Sequence, residues 1–575
     1  MNHLIKKSCK AVSIGIFASI IAGCAAPKES PSLLQYVPAD TPYVVASTQP
    51  IPDSLADKLE PTIDQVLEAY QRIIRHAMAE ELVELSAQEG GAEKAEKLQA
   101  LVDEVLSLMS IEGIRGAGIE RDSAFAFYGN GLLPVIRFEL TDSAAFDAAI
   151  TRIEDKAENQ LSLGDLQGEE YKYLDFDKAR LLIATLDDQA VITIVPVQFD
   201  DDQLARVLGI TKPAKTLADS KGLDALAEQY GFSDYFSGYV NNERIASTFL
   251  GDATGLDEAL LAIFEYDASD LSDTCKTEFM ELVGIAPRVV FGYTAMNNEY
   301  IDSVFVVELR EDIAAGLTTI PTPVPGLGQD FGGLMSFGFG LNPLAAREFY
   351  EARLEAMEAD PFECDKLVPL QDSVARGREA LKQPLPPVVY GFRGIVAVIN
   401  DIQGMDLAQQ KPPESMDASF LFAIEDAEAL VAMGAMMDPQ LAALNLTPDG
   451  KPVKLELAQL AEIADEAYAA LSDNALVVSV GEGSEARSAE LLVADSKDPA
   501  PLFSMTMDTA RYYGLIGDAM MQSEPKEGEK EMPLAVRTAL KDVMTLMGQV
   551  YQRMLLDVTL TPDGIEMRSR LLLTD

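Results

Sequence analysis

The chain has 575 residues, 48% of them hydrophobic, and this content excludes an intrinsically disordered protein. Its length is sufficient for about two to four ordinary domains. The 93 Asp and Glu residues outnumber the 45 Lys and Arg residues, so the formal net charge is −48 at pH 7. Such a surface repels the phosphates of nucleic acids and anionic lipid headgroups, and we therefore expect neither as a partner.

The first 23 residues have the three parts of a bacterial export signal. Lys6, Lys7 and Lys10 form a positive region, residues 11–21 form an apolar run, and residues 22–23 are small, as a signal peptidase requires beside the cleaved bond. The apolar run is much shorter than the ~20 residues that span a bilayer as a helix. The segment therefore predicts export followed by cleavage.

Ile21-Ala22-Gly23-Cys24 resembles the lipobox of bacterial lipoproteins. The resemblance implies that the Cys24 thiol receives a diacylglyceryl group, that the chain is cut before Cys24, and that the new amino group is acylated. Two or more acyl chains make a durable membrane anchor, whereas one chain binds only marginally. Ala25, in place of an aspartate, is similar to members sorted to the outer membrane, which implies a lipid-anchored envelope protein facing the periplasm. The alternative is an ordinary secretory signal with an incidental cysteine.

Cleavage before Cys24 also removes His3 and Cys9. The one remaining histidine, His76, argues against Ser-His-Asp, Cys-His and multi-histidine metal mechanisms. Apart from Cys24, the mature chain keeps Cys275 and Cys364, and an even pair in an oxidising compartment predicts a disulfide bond. Two buried free thiols are the alternative.

Residues 24–35 are predicted to be a short tether, since they contain Pro27 and Pro31 and lack apolar periodicity. The first lobe, residues 36–310, opens with the turn Pro38-Ala39-Asp40-Thr41 and a strand over 43–46. This turn resembles the opening of a family of uncharacterised exported bacterial proteins, and the resemblance implies no activity.

Two helices and a sheet are expected next. Apolar residues recur at three- and four-residue spacing over 63–78 and 98–106, on either side of Gly90-Gly91. A helix is predicted from Ser143, and the chain is expected to be mainly helical from about 196 to 285. Alternating patterns predict strands at 124–128, 134–140, 171–176, 179–184 and 190–195 and a closing hairpin at 289–296 and 300–309.

Residues 311–330 are rich in Gly, Pro and Thr and are predicted to be an inter-domain linker. The second lobe, residues 331–575, repeats short motifs of the first in the same order, at offsets of 276 to 285 residues. The repeated pairs are Gly113-Ile114-Arg115-Gly116 with Gly391-Phe392-Arg393-Gly394, Phe138–Asp142 with Phe422–Asp426, Asp187–Ile192 with Ser472–Val477, Ala218–Lys221 with Ala494–Lys497, and Tyr230-Gly231 with Tyr513-Gly514.

This repetition predicts a duplicated domain. Each lobe is expected to be an antiparallel or mixed sheet with helices packed on it, which is an α+β fold. Because Cys275 lies late in the first lobe and Cys364 early in the second, a disulfide is expected to clamp the two lobes together.

The sequence contains no recognisable nucleophile, metal or phosphate motif, so no catalytic, cofactor-binding or metal-ligating residue is assigned. Asp200-Asp201-Asp202 fits either a cation site or the acidic start of a helix. A methionine-rich second half and the aromatic residues between Tyr230 and Tyr239 fit either ligand contacts or ordinary core packing.

We therefore expect a non-enzymatic, lipid-anchored envelope protein that binds a protein partner or an apolar ligand. A periplasmic hydrolase that uses only carboxylates is one alternative. A structural or assembly lipoprotein of the outer membrane is another.

Overall fold

The computed structural model describes residues 32–47, 49–87, 91–157, 161–404, 413–437, 444–522 and 532–575. Cys24 and the predicted signal lie outside these residues. The described chain has an α+β fold with antiparallel strand pairing. It divides into two compact units. The first contains the chain up to Ser272, Ala286–Val304 and Met532–Leu546, and the second contains Asp273–Ile285, Phe305–Glu531 and Met547–Asp575.

The sheet of the first unit has the strand order β4-β5-β6-β7-β3-β2-β1-β8-β9-β10, and β10 continues into the second unit. These strands are β1 (Tyr43–Ser47), β2 (Phe125–Asn130), β3 (Leu133–Glu139), β4 (Ser162–Leu166), β5 (Glu169–Phe176), β6 (Ala179–Leu186), β7 (Gln189–Pro196), β8 (Ser237–Asn241), β9 (Arg288–Met296) and β10 (Tyr300–Glu308).

The sheet of the second unit has the strand order β14-β15-β16-β13-β12-β11-β17-β18-β19. These strands are β11 (Met335–Gly340), β12 (Phe392–Gln403), β13 (Ser415–Ile424), β14 (Val453–Lys454), β15 (Ala467–Leu471), β16 (Ala475–Val480), β17 (Phe503–Asp508), β18 (Tyr551–Thr561) and β19 (Gly564–Leu573).

Helices occupy the connections between these strands. The helices up to residue 283 are α1 (Asp53–Ser86), α2 (Gly91–Ser107), α3 (Ile111–Gly116), α4 (Ser143–Ala157), α5 (Asp201–Leu208), α6 (Leu217–Ser220), α7 (Gly222–Tyr230), α8 (Asn242–Ser247), α9 (Leu256–Ile263) and α10 (Asp273–Val283). The later ones are α11 (Glu311–Leu317), α12 (Pro343–Ala359), α13 (Val368–Lys382), α14 (Pro387–Gly391), α15 (Ala427–Met437), α16 (Ala458–Ala461), α17 (Ser484–Leu492), α18 (Thr509–Gln522) and α19 (Leu534–Val550).

The predicted strand at 43–46, the helix from Ser143 and the hairpins are confirmed within a few residues. The helical pair α1 and α2 is also confirmed, but α1 is longer than the apolar pattern over 63–78, since it begins at Asp53 and contains Pro61. In the first unit two strands were not predicted, and strands β11 to β17 of the second unit were expected only through its repetition of the first. β4 is mostly exposed and has no apolar alternation, and β8 is a five-residue strand that contains Gly238. Nevertheless β8 lies between β1 and β9, so it is an interior strand of the first sheet.

Residues 311–330 form part of the second unit instead of a free connection. They include α11, in which Ile313 and Ala314 are buried. Further along, Val324 and Leu327 are 1% and 2% exposed and pack in a core cluster with residues of β12, β13, β16 and α17. The Gly- and Pro-rich composition therefore marks an irregular segment that nonetheless contributes apolar side chains to the core.

The first unit contains a fully buried guanidinium. Arg137, on β3, lies over the ring of Tyr36, with its Cζ atom 3.9 Å from the ring centroid. Its Nη1 donates to Gln189 Oε1 at 2.8 Å and its Nη2 donates to the Leu208 carbonyl at 2.7 Å. Among the described residues no carboxylate is paired with Arg137. The charge is therefore stabilised by neutral oxygens and the face of an aromatic ring.

Tyr36 fixes the end of the predicted tether to this site. It follows the 3₁₀ turn Leu33–Gln35, and both Leu33 and Tyr36 are buried. Lys212 Nζ also lies 4.5 Å from the Tyr36 ring centroid, and the Tyr36 hydroxyl donates to Asp187 Oδ2 at 3.2 Å. The residues after the tether are thus held by contacts with three separate parts of the first unit.

We expect Tyr36→Ala to destabilise the first unit by about 3 kcal/mol, because it removes a buried ring and uncovers a buried cation. Tyr36→Phe keeps the ring and loses only the hydroxyl hydrogen bond, so its cost should be about 1 kcal/mol. Urea unfolding of the two variants provides the measurement. Equal, small effects would mean that Arg137 does not depend on the ring.

Candidate functional site

The second unit contains an acidic groove with a volume of about 560 Å³. It lies between the tips of β12 and β13, the segment around α16 and the turn after β16. Close approach at that turn requires a glycine, because Gly481 has φ +94° and a Cβ there would lie 2.9 Å from Asp417 Cα. The groove is lined by seven carboxylates: Asp401, Glu414, Asp417, Glu462, Asp465, Glu466 and Glu482.

Two of these carboxylates are already paired with basic or amide groups. Asp417 pairs with Arg487 and accepts a hydrogen bond from Asn400 Nδ2 at 3.1 Å. Asp401 accepts from Gln403 Nε2 at 3.0 Å and from Arg511 Nη2 at 2.6 Å. The Gln403 amide, and then the charge of Arg511, hold the pKa of Asp401 below its ordinary value.

These pairings determine what the groove can do chemically. A general acid in glycoside hydrolysis needs a carboxyl group with a raised pKa. The shift at Asp401 is downward, so this carboxylate stays ionised and serves as a structural partner of Arg511. Asp401 and Asp417 are half-buried, whereas the remaining five carboxylates of the groove are exposed at its rim. The groove is therefore an open, negatively charged surface.

The first unit has two further cavities within it. A small apolar cleft of about 60 Å³ lies between α1 and α3, and the Glu60–Arg115 ion pair (2.6 Å) is part of its lining. A space of this size holds about two water molecules. The second cavity, of about 320 Å³, lies beside α4 and strands β4 to β6 and is lined by both apolar and charged residues, including Leu163, Glu170 and Lys172.

Cys275 and Cys364 lie next to each other, with their Sγ atoms 2.09 Å apart. Cys275 is on α10, Cys364 lies between α12 and α13, and both are buried. The Glu278 carboxylate accepts hydrogen bonds from the N–H groups of Glu363 (2.7 Å) and Cys364 (3.0 Å), which holds this loop against α10.

Both cysteines belong to the second compact unit. A bond between them therefore joins α10 to the loop before α13, within one unit. The expectation that this disulfide clamps two lobes together is wrong. With Asp365 the cysteines form the one cluster of three metal-ligating groups that the described residues bring within coordinating distance of one another, but a disulfide leaves no thiolate to hold a metal ion.

The other sequence features have structural roles. Asp200 caps α5 in a reciprocal pair of hydrogen bonds with Gln203, so the acidic triplet is a helix start. Tyr230, Phe232 and Tyr239 are buried in the first unit, which is ordinary core packing. The methionines are divided, since Met507 is 5% exposed and Met436 is 87% exposed.

Cys24, the predicted lipidation site, lies outside the described residues. The acidic groove was not predicted, because its carboxylates come from three separate parts of a chain with 93 acidic residues. No helix in the described parts of the chain is both long and apolar enough to cross a membrane. No protein-family model matches the chain, and neither does any curated protein or solved structure.

We predict that thiol labelling of the unfolded, unreduced protein leaves Cys275 and Cys364 unmodified, and that both react after reduction. Reduction should lower the free energy of unfolding of the second unit by about 4 kcal/mol. The reason is that the cross-link between two cysteines 89 residues apart no longer restricts the conformations of the unfolded chain. The matched control is the double variant Cys275→Ser/Cys364→Ser, whose stability should not respond to reductant. Labelling of both thiols without reductant would contradict the prediction.

Proposed function

We propose that this protein is a lipid-anchored binding protein of the bacterial cell envelope and that its partner is another protein. The character of the described cavities carries this proposal. The apolar cleft between α1 and α3 is far smaller than the ~300–1,000 Å³ of ligand-binding pockets. The two larger cavities are open and lined with charged side chains, and such cavities are better suited to contact with the surface of another protein than to binding an apolar small molecule.

The anchor in this proposal is an acyl-modified Cys24. From Cys24 to the buried Leu33 there are nine residue steps, which span at most about 30 Å in a fully extended chain. The contacts of Tyr36 with Arg137 and Asp187 attach the end of this segment firmly to the first unit. The first unit would therefore work within about 30 Å of its attachment point in the membrane.

We further infer that the two units are duplicated lobes. In support, the order β5-β6-β7-β3-β2-β1-β8-β9-β10 in the first unit has the same chain connectivity as β14-β15-β16-β13-β12-β11-β17-β18-β19 in the second. Only β4 has no counterpart among the described strands of the second unit. An identical order in nine strands is a much stronger indication of duplication than short sequence matches are.

Individual hydrogen bonds also support duplication. In the turn between β6 and β7, the Asp188 carbonyl accepts a hydrogen bond from Leu140 N–H, which follows β3 (2.8 Å). In the turn between β15 and β16, the Asn474 carbonyl accepts a hydrogen bond from Ile424 N–H at the end of β13, the strand equivalent to β3 (3.0 Å). Not every repeated motif corresponds in this way. Tyr230-Gly231 precedes β8, whereas Tyr513-Gly514 follows β17, the strand equivalent to β8.

A carboxylate-only hydrolase is less well supported. It needs one carboxyl group with a raised pKa near an ionised one. The described carboxyl groups with shifted pKa values shift downward, as at Asp312, where hydrogen bonds from Arg310 and Arg353 hold the pKa at about 2. Each of these groups stays ionised at neutral pH.

Native mass spectrometry of the protein extracted from its own membrane tests this proposal. We expect a chain that begins at Cys24, carries two or three acyl groups and is accompanied by a protein partner. The control Cys24→Ser should lack the acyl mass. An acylated chain without a protein partner would refute the binding function, and an acylated Cys24→Ser variant would refute the anchor.

A further inference from the structure

The segment between β8 and α10 exposes three aromatic side chains, Phe249, Phe264 and Tyr266, which we call the aromatic patch. Their exposed fractions are 38%, 66% and 40%. The rings of Phe249 and Tyr266 meet edge to face, with centroids 5.7 Å apart and an interplanar angle of 84°. The Tyr266 hydroxyl also donates to the Phe249 carbonyl at 2.7 Å. Two of the three rings are therefore fixed relative to each other without a partner.

The third ring, Phe264, follows a helix that is locked to the sheet. Asp257 at the start of α9 is 1% exposed, pairs with Arg244 at 3.0 Å and accepts from Leu132 N–H at 2.6 Å. A Cβ at Gly131 would lie 2.2 Å from Asp257 Oδ1, so the turn between β2 and β3 can approach this carboxylate only with a glycine there. Buried contacts therefore hold the helix that precedes Phe264 against the sheet.

The inward face of α9 confirms that the exposed ring is not part of a loose segment. Leu256 and Leu261 are 8% and 9% exposed, whereas Phe264, one residue beyond the helix, points its ring largely to solvent. Tyr266 N–H donates to the Leu261 carbonyl at 3.0 Å and so returns the chain against the helix. Rigid, exposed aromatic side chains are frequent anchors in protein interfaces, because little conformational entropy is lost when they are buried.

The charge around the aromatic patch indicates which partner it suits. Residues 245–272 contain six acidic residues and no Lys or Arg. Apart from the buried Asp257, all of these are exposed: Asp252, Glu258, Glu265, Asp267 and Asp270. A surface of this kind repels anionic lipid headgroups and attracts cationic side chains.

We propose that the aromatic patch docks a lysine- or arginine-rich segment of a partner protein, with apolar side chains of that segment packed on Phe264 and Tyr266. This inference rests on the proposed function, since it specifies where and how the protein partner is bound. Charge complementarity brings the basic segment to the acidic rim, and burial of the rings supplies the specific part of the affinity.

Fluorescence anisotropy with a dye-labelled Lys/Leu peptide tests this inference, using the full acylated chain in phosphatidylcholine nanodiscs with empty nanodiscs as the blank. A Lys/Ser peptide of equal charge is the matched probe. We expect the Lys/Leu peptide to bind about tenfold more tightly than the Lys/Ser peptide, and Phe264→Ser to remove about tenfold of its affinity. Val83→Ser, at a residue that is 68% exposed on α1 and does not line any of the three cavities described above, should leave the affinity unchanged.

A second variant tests the contribution of the acidic side chains to peptide binding. Glu265→Gln/Asp270→Asn should weaken both peptides severalfold, and added salt should reduce this difference. Equal affinities of the Phe264→Ser and Val83→Ser variants, or of the two peptides, would overturn the inference, because binding would then be general attraction to an acidic protein. Preferential binding of phosphatidylglycerol vesicles through Phe264 would also overturn it. A partner found by native mass spectrometry despite either result would leave the proposed function standing without this patch.

Discussion

The first unit depends on the buried guanidinium of Arg137. A charge removed from water needs compensation, and here the compensation comes from the Gln189 amide oxygen, the Leu208 carbonyl and the ring of Tyr36. These groups lie on β7, at the end of α5 and in the segment before β1. One side chain thereby joins the sheet, a helix end and the residues that follow the tether.

This arrangement connects the architecture with the proposed function. A short tether has a mechanical purpose only if the chain beyond it is firmly attached, and Tyr36 supplies that attachment in the first unit. The same unit presents exposed aromatic side chains on an acidic rim, and the second unit presents an open groove with seven carboxylates. The negative charge of both surfaces supports our proposal of a cationic protein partner.

Sequence patterns predicted those elements whose apolar periodicity is regular. They failed at β8, where burial of Ser237, Gly238 and Tyr239 in succession leaves no alternation to detect. They also misjudged 311–330, because Gly and Pro content does not reveal that Val324 and Leu327 are buried. Arg137 alternates with apolar residues and therefore reads as solvent-facing, and the acidic groove assembles carboxylates from distant parts of the chain.

We have proposed that this protein is anchored in the cell envelope and holds a protein partner at the aromatic patch. Photocrosslinking in intact cells tests this proposal, with p-benzoylphenylalanine in place of Phe264 or, as the matched control, in place of Val83, which is 68% exposed on α1. We predict a crosslinked protein adduct from position 264 and none from position 83. Adducts to lipid alone, or equal adducts from both positions, would refute the binding of a protein partner at the aromatic patch.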